Sequence, residues 1–149
     1  MADGETQLPA VTLVMEGENA IDDEDEWTRA AIVALEREMA AVAGRFPTKP
    51  RILYLYDSAA VEHGIIERTI EEVAPRLRQV ADVEILPTAG LQYYELKNFG
   101  IARATTDIAV LLDSDAAPQP GWLENLIKPF ADERVMVVGG FTLLDYKDL

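Results

Sequence analysis

Short apolar runs alternate with helical stripes along this chain, and successive runs lie too far apart to be joined as hairpins. Val11-Thr12-Leu13-Val14-Met15, Arg51-Ile52-Leu53-Tyr54-Leu55-Tyr56, Asp82-Val83-Glu84-Ile85-Leu86, Ile108-Ala109-Val110-Leu111-Leu112 and Val135-Met136-Val137-Val138 read as five strands. Trp27, Ala31, Ala34, Leu35, Met39 and Val42 fall at helical spacing and predict a helix over residues 24–43, with Trp27 on its core side. Gly44, Pro47 and Pro50 stop that helix. Ile66, Ile70, Val73, Leu77 and Val80 mark a second helix, which Pro75 kinks or restarts. A third spans residues 91–105, with Tyr94, Leu96, Ile101 and Ala104 as packing residues. Gly100 inside it costs ~1 kcal/mol relative to Ala, which close packing on a sheet would explain. Trp122 opens a last, short helix.

This order predicts an α/β three-layer sandwich with a mainly parallel, Rossmann-like sheet. Right-handed crossovers give the strand order 3-2-1-4, so the direction of winding across the sheet reverses between the first and fourth strands. Ligands of such sheets bind outside the carboxyl ends of strands at that reversal. Residues 1–10 read as a polar, flexible tail, and residues 11–149 as one domain.

The fourth run, predicted to be buried on both faces, stops at Asp113-Ser114-Asp115. Two carboxylates one residue apart at the end of a buried strand repel each other and resist ionisation unless a cation or donors compensate. Hard oxygen ligands suit Mg²⁺ or Mn²⁺. The plainer alternative is a strand-to-helix loop in which Asp forms the turn and caps the helix. Pro118, Pro120 and Gly121 mark that turn.

Composition narrows the function classes. The net charge of −14, from 27 acidic and 13 basic residues, argues against a nucleic-acid partner and against an anionic membrane surface. A phosphorylated ligand stays open, because a bound metal reverses the local field. There is no Cys and one His (His63), so neither a disulfide nor a His-rich zinc site can be built. No apolar run reaches the ~20 residues of a membrane span, and no signal-peptide pattern opens the chain. A soluble, cytoplasmic protein is the expectation.

Asn98, Gly100, Ala104 and Asp107, the apolar strand, Asp113-Ser114-Asp115, then Pro118 and Pro120-Gly121-Trp122-Leu123, resemble the nucleotide-sugar-binding half of family-2 glycosyltransferases, which have the GT-A fold. The resemblance covers roughly residues 11–140 and is strongest over residues 97–126. It implies that Asp115 holds a divalent metal (Mg²⁺ or Mn²⁺), while Asp113 contacts that metal, its bound water or the ribose. It implies that Asp57 accepts a hydrogen bond from the nucleotide base, although Asp57 also suits a helix cap. Asn19 corresponds to the Asn of a loop over the nucleotide, though Glu16-Gly17 replaces the usual Pro. Lys97 would counter diphosphate charge and Asn98 would hold the metal loop or the ribose; a solvated helix face and a structural hydrogen bond are their plainer alternatives.

The implied function is inverting glycosyl transfer from a UDP- or GDP-linked sugar to an acceptor the sequence does not identify. The implied catalytic base lies beyond Leu149, in a second half that also carries the acceptor site. The chain therefore reads as a donor-binding half. One alternative is a non-catalytic nucleotide-binding or interaction module on the same scaffold. Another is a receiver-type signalling domain, whose phospho-acceptor Asp would sit on the third strand and whose Lys would stand where Gly139-Gly140 does. Donor base, sugar, acceptor and oligomeric state are not legible.

Overall fold

The computed structural model describes residues 7–17 and 26–143. Its elements run β1 (Val11–Glu16), α1 (Glu26–Ala41), β2 (Arg51–Asp57), α2 (His63–Val73), α3 (Leu77–Val80), β3 (Asp82–Thr88), α4 (Tyr93–Ile101), β4 (Ile108–Asp113) and α5 (Trp122–Ile127), followed by a 3₁₀ turn at Lys128–Ala131. The four strands form one sheet in the order β3-β2-β1-β4, and all neighbours are parallel. This is the predicted order, with the reversal between β1 and β4.

Helices cover both faces. On one face, α1, α2, α3 and α5 pack through residues such as Ile32, Leu35, Met39, Ile66, Ile70, Leu77 and Leu123 onto Leu13, Met15, Ile52, Tyr54, Val110 and Leu112. On the other, Leu96 and Phe99 of α4 cover Val14, Leu53 and Leu55. Leu96 is fully buried, which stabilises the α4 layer by about 1.5–3 kcal/mol. Gly100 explains how closely this layer sits. A Cβ there would fall inside contact distance of Val14 Cγ1 and 2.8 Å from Leu55 Cδ1.

Buried carboxylates tie the helices together. Glu36 of α1 accepts from the Arg76 backbone N–H at 2.7 Å and from its guanidinium. The contact fixes the break at Ala74-Pro75-Arg76 that separates α2 from α3. Glu38, 2% exposed, accepts from the backbone N–H groups of Gly121 (3.2 Å) and Leu123 (3.2 Å). The first turn of α5 is thus capped by a side chain from α1, and Arg37 adds a bond to the Pro118 carbonyl. Together these contacts anchor the loop that follows Asp113-Ser114-Asp115.

Several expectations need correction. Residues 135–138 form no strand; among the described residues nothing pairs with the outer edge of β4, and an isolated strand leaves its backbone groups unsatisfied. β4 is not buried on both faces. Ile108, Val110 and Leu112 are buried while Ala109 and Leu111 are exposed, because α4 lies over β1 and β2 rather than over the edge. Tyr94 and Ile101 are exposed instead of packed, and α4 turns Leu96, Phe99 and Gly100 to the sheet. Trp27 is also more than half exposed. Leu8 packs in the core and its N–H bonds the Arg45 carbonyl at 2.9 Å, so ordered packing begins ahead of Val11. No helix among the described residues is long and apolar enough to cross a membrane.

Candidate donor-binding crevice

Three strands deliver their last residues to one edge of the sheet. β2 ends at Asp57, β1 runs into Glu16-Gly17, and β4 ends at Asp113. Glu16 and Asp113 are register partners, so they stand side by side. Asp57 lies two strands away from Asp113, about 10 Å across the sheet. Asn19 lies outside the described residues.

Alternation along β1 and β4 decides which face these groups use. Ile108, Val110 and Leu112 join the α1 side of the core, so Asp113 stands on the α4 side with Ala109 and Leu111. Glu16 falls on that same side as Val14 and is fully buried.

α4 then meets Asp113 with two side chains. Tyr93 and Lys97 are one helical turn apart and share a face. The Tyr93 hydroxyl donates to Asp113 Oδ1 at 2.9 Å. Lys97 Nζ donates to the Tyr93 hydroxyl at 2.8 Å and also pairs directly with Asp113 Oδ1. Its ammonium lies 4.2 Å from the centre of the Tyr93 ring. Burial works against the charged form of Lys97. The hydrogen bonds to Asp113 and Tyr93 and the Asp113 charge outweigh it, so the ammonium pKa stands above its ordinary value. For Tyr93 the bond from Lys97 favours the phenolate. Burial and the adjacent Asp113 oppose it, and the net direction is upward. At neutral pH Tyr93 is therefore a phenol and Lys97 an ammonium. Tyr93 was missed in the sequence reading; its spacing of four from Lys97 was the available signal.

The rest of the Asp-Ser-Asp loop divides by exposure. Asp115 is exposed, and Asp113 is intermediate between buried and exposed. Ser114 is fully buried, and its Oγ has no hydrogen-bond partner among the described residues. Asp57 shows its capping role directly. Its Oδ1 accepts from the N–H of Ala59 at 3.0 Å and of Gly90 at 3.2 Å. The second contact holds the β3–α4 loop, where Gly90 takes a left-handed φ of 67°. No bond falls on Asp57 Oδ2 among the described residues. Asn98 is exposed on α4 and makes no side-chain hydrogen bond among them, so the structure does not bring it to Asp113.

The donor set can be tested against a divalent cation. Among the described residues no three His, Cys, Asp or Glu side chains converge as a metal cage. Asp113 and Asp115 offer hard oxygens, and Lys97 already compensates Asp113. This fits a cation that takes one or two protein carboxylates and fills its remaining positions with phosphate and water, as Mg²⁺ commonly does.

Comparisons with known proteins bear on the family to which the chain belongs. The family model described as glycosyl transferase family 2 matches residues 67–148, more than half of the chain. Pre-mycofactocin glycosyltransferase from Mycobacterium tuberculosis, from strains CDC 1551 / Oshkosh and H37Rv, is 48% identical over 42 residues. That stretch is 28% of this chain and spans only 9% of the relative's length. The crystal structure of protein Rv1636 from Mycobacterium tuberculosis H37Rv aligns with a TM-score of 0.41 at 14% identity, over 92% of this chain and 100% of that one. From within α2 onward, through β3, α4 and the Asp-Ser-Asp loop, the chain carries the family's matched region: it belongs to glycosyl transferase family 2.

Proposed function

We propose that this chain binds the nucleoside-diphosphate sugar of an inverting glycosyl transfer, with a Mg²⁺ or Mn²⁺ ion bridging protein and diphosphate. The observation that supports this best is the convergence of Asp57, Asp113 and the exposed Asp115 at the carboxyl edge of a β3-β2-β1-β4 sheet.

Each residue then has a role fitted to its surroundings. Asp57 keeps Oδ1 for its own loop and offers Oδ2 to a ring N–H of the base, uracil or guanine. Asp113, with Oδ1 held by α4, offers Oδ2 to a ribose hydroxyl or a metal-bound water. Asp115 is the direct protein ligand of the cation. When bound, the cation neutralises charge that develops on the departing diphosphate. Asn19 is assigned to the loop over the nucleotide, and Asn98 to the exposed rim of the crevice.

Lys97 is reassigned. A lysine pinned to Asp113 and largely buried balances the charge of that carboxylate rather than waiting for phosphate. The N-terminus of α4, closed by the Gln92/Glu95 capping box, adds positive potential at the same edge.

This gives residues 11–149 the donor half of the reaction. The base that takes the proton of the acceptor hydroxyl is assigned to none of the described residues, and the acceptor and donor sugar are left unassigned. Calorimetric titration with UDP and with GDP, in the presence of Mn²⁺, tests the proposal. Saturable binding of one nucleotide supports it, and no binding of either by folded protein refutes it.

A further inference from the structure

We propose that Tyr93 is a positioning residue of this site, holding the Asp113 carboxylate in one orientation so that its second oxygen is presented to the nucleotide. The inference rests on the donor-binding function proposed above and extends it to a residue outside the family's motif.

The argument begins with what Lys97 alone could do. An ammonium on a four-carbon stem supplies charge, but its three rotatable donors specify little direction. A carboxylate is also loosely oriented, because its terminal torsion has broad, shallow wells. A single Lys–Asp contact at a half-open site would therefore leave Asp113 free to turn.

Tyr93 closes the contact into a triangle. Its phenol has one hydrogen, which goes to Asp113 Oδ1 at 2.9 Å. Its oxygen accepts from Lys97 Nζ at 2.8 Å, and Lys97 reaches the same Oδ1. The ring is a rigid arm with two side-chain torsions, it is partly buried, and the Lys97 ammonium rests 4.2 Å from its centre. Tyr94 packs edge-on against it at 4.8 Å between ring centres. All donors converge on Oδ1, and Oδ2 has no hydrogen-bond partner among the described residues. Tyr93 thus supplies direction where Lys97 supplies charge. The ligand group this arrangement selects is a hydrogen-bond donor, a sugar hydroxyl or a metal-bound water.

The test is a double-mutant cycle on nucleotide affinity. UDP and GDP are titrated with Mn²⁺ into wild type, Tyr93→Phe, Asp113→Ala and the double variant, and thermal unfolding is followed for each. Tyr93→Phe keeps the ring and removes one oxygen. The expected result is roughly five- to twentyfold weaker binding of the preferred nucleotide, with the unfolding midpoint within about 4 °C of wild type. In the Asp113→Ala background the same change should cost less than about twofold, because no side-chain oxygen is left for Tyr93 to orient. Wild-type affinity in Tyr93→Phe overturns the proposal, and so does an equal loss in both backgrounds. Failure of the wild-type protein to bind either nucleotide is a different result: it overturns the donor-site function, and the positioning role falls with it.

Discussion

Lys97 and Asp113 form an ion pair between α4 and the end of β4. The lysine side chain is 13% exposed and the carboxylate 40% exposed, so the pair is screened on one side only. Lys97→Met leaves Asp113 without its cation. We expect a loss of about 1–2 kcal/mol in stability, a charge-assisted hydrogen bond discounted for the exposed side. Urea denaturation measures it. Nucleotide affinity should fall with it.

Gly100 and Val14 set the distance between α4 and the sheet. The Cβ of an alanine at position 100 would meet Val14 and Leu55, both packed beneath Leu96. Gly100→Ala should therefore destabilise by about 1–3 kcal/mol despite alanine's better helix propensity. A variant as stable as wild type in urea would show that α4 can lift off the sheet at little cost.

Asp57 is asked to do two things with two oxygens, and substitution separates them. Asp57→Asn keeps an acceptor for the Ala59 and Gly90 amides, whereas Asp57→Ala removes it. The Asn variant should stay within about 0.5 kcal/mol of wild-type stability yet bind nucleotide about tenfold more weakly, having lost a charged acceptor. Equal nucleotide affinity in wild type and Asp57→Asn would reduce Asp57 to a loop anchor.

Tyr56 gives the fold an alkaline limit. Its hydroxyl meets His63 Nδ1 at 2.9 Å. Burial, and then the charge of Glu67, push its pKa above the ordinary 10.0. A folded pKa above the unfolded one means that this group's contribution is intact below pH 10.0 and is lost as pH rises through the folded pKa. Wild type should lose stability above that pH. Tyr56→Phe should give a flatter curve there, while costing about 0.5–1.5 kcal/mol at neutral pH through the lost hydrogen bond. Denaturant midpoints measured from pH 8 to pH 11 check both.

Strand order and layer composition were legible because they follow from periodicity and from the right-handed crossover. Pro75 and Gly100 were legible because each has a backbone or steric requirement that its surroundings must meet. The pairing that the strands lack was not. Val135-Met136-Val137-Val138 has the composition of a strand, but composition supplies no neighbour to bond with. β4 reads as buried on both faces because its run is continuously apolar. Which face a helix covers depends on where α4 lands, and that is set by Gly100 against β1 and β2. In the site, Asp113 and Lys97 were visible as charges. The role of Tyr93 appears only when β4 is placed opposite its hydroxyl. The capping role of Glu38 was not legible, because the amides it caps are 83 and 85 residues away.

The central claim is metal-bridged nucleotide binding at the end of β4, and Asp115→Ala tests it most directly. Asp115 is exposed, so the variant should remain folded. UDP and GDP are titrated calorimetrically into wild type and Asp115→Ala, each with and without Mn²⁺. The account predicts that wild type binds one of the two nucleotides tightly only with Mn²⁺, and that Asp115→Ala loses the Mn²⁺-dependent component. Binding that ignores Mn²⁺, or that Asp115→Ala retains in full, would contradict it.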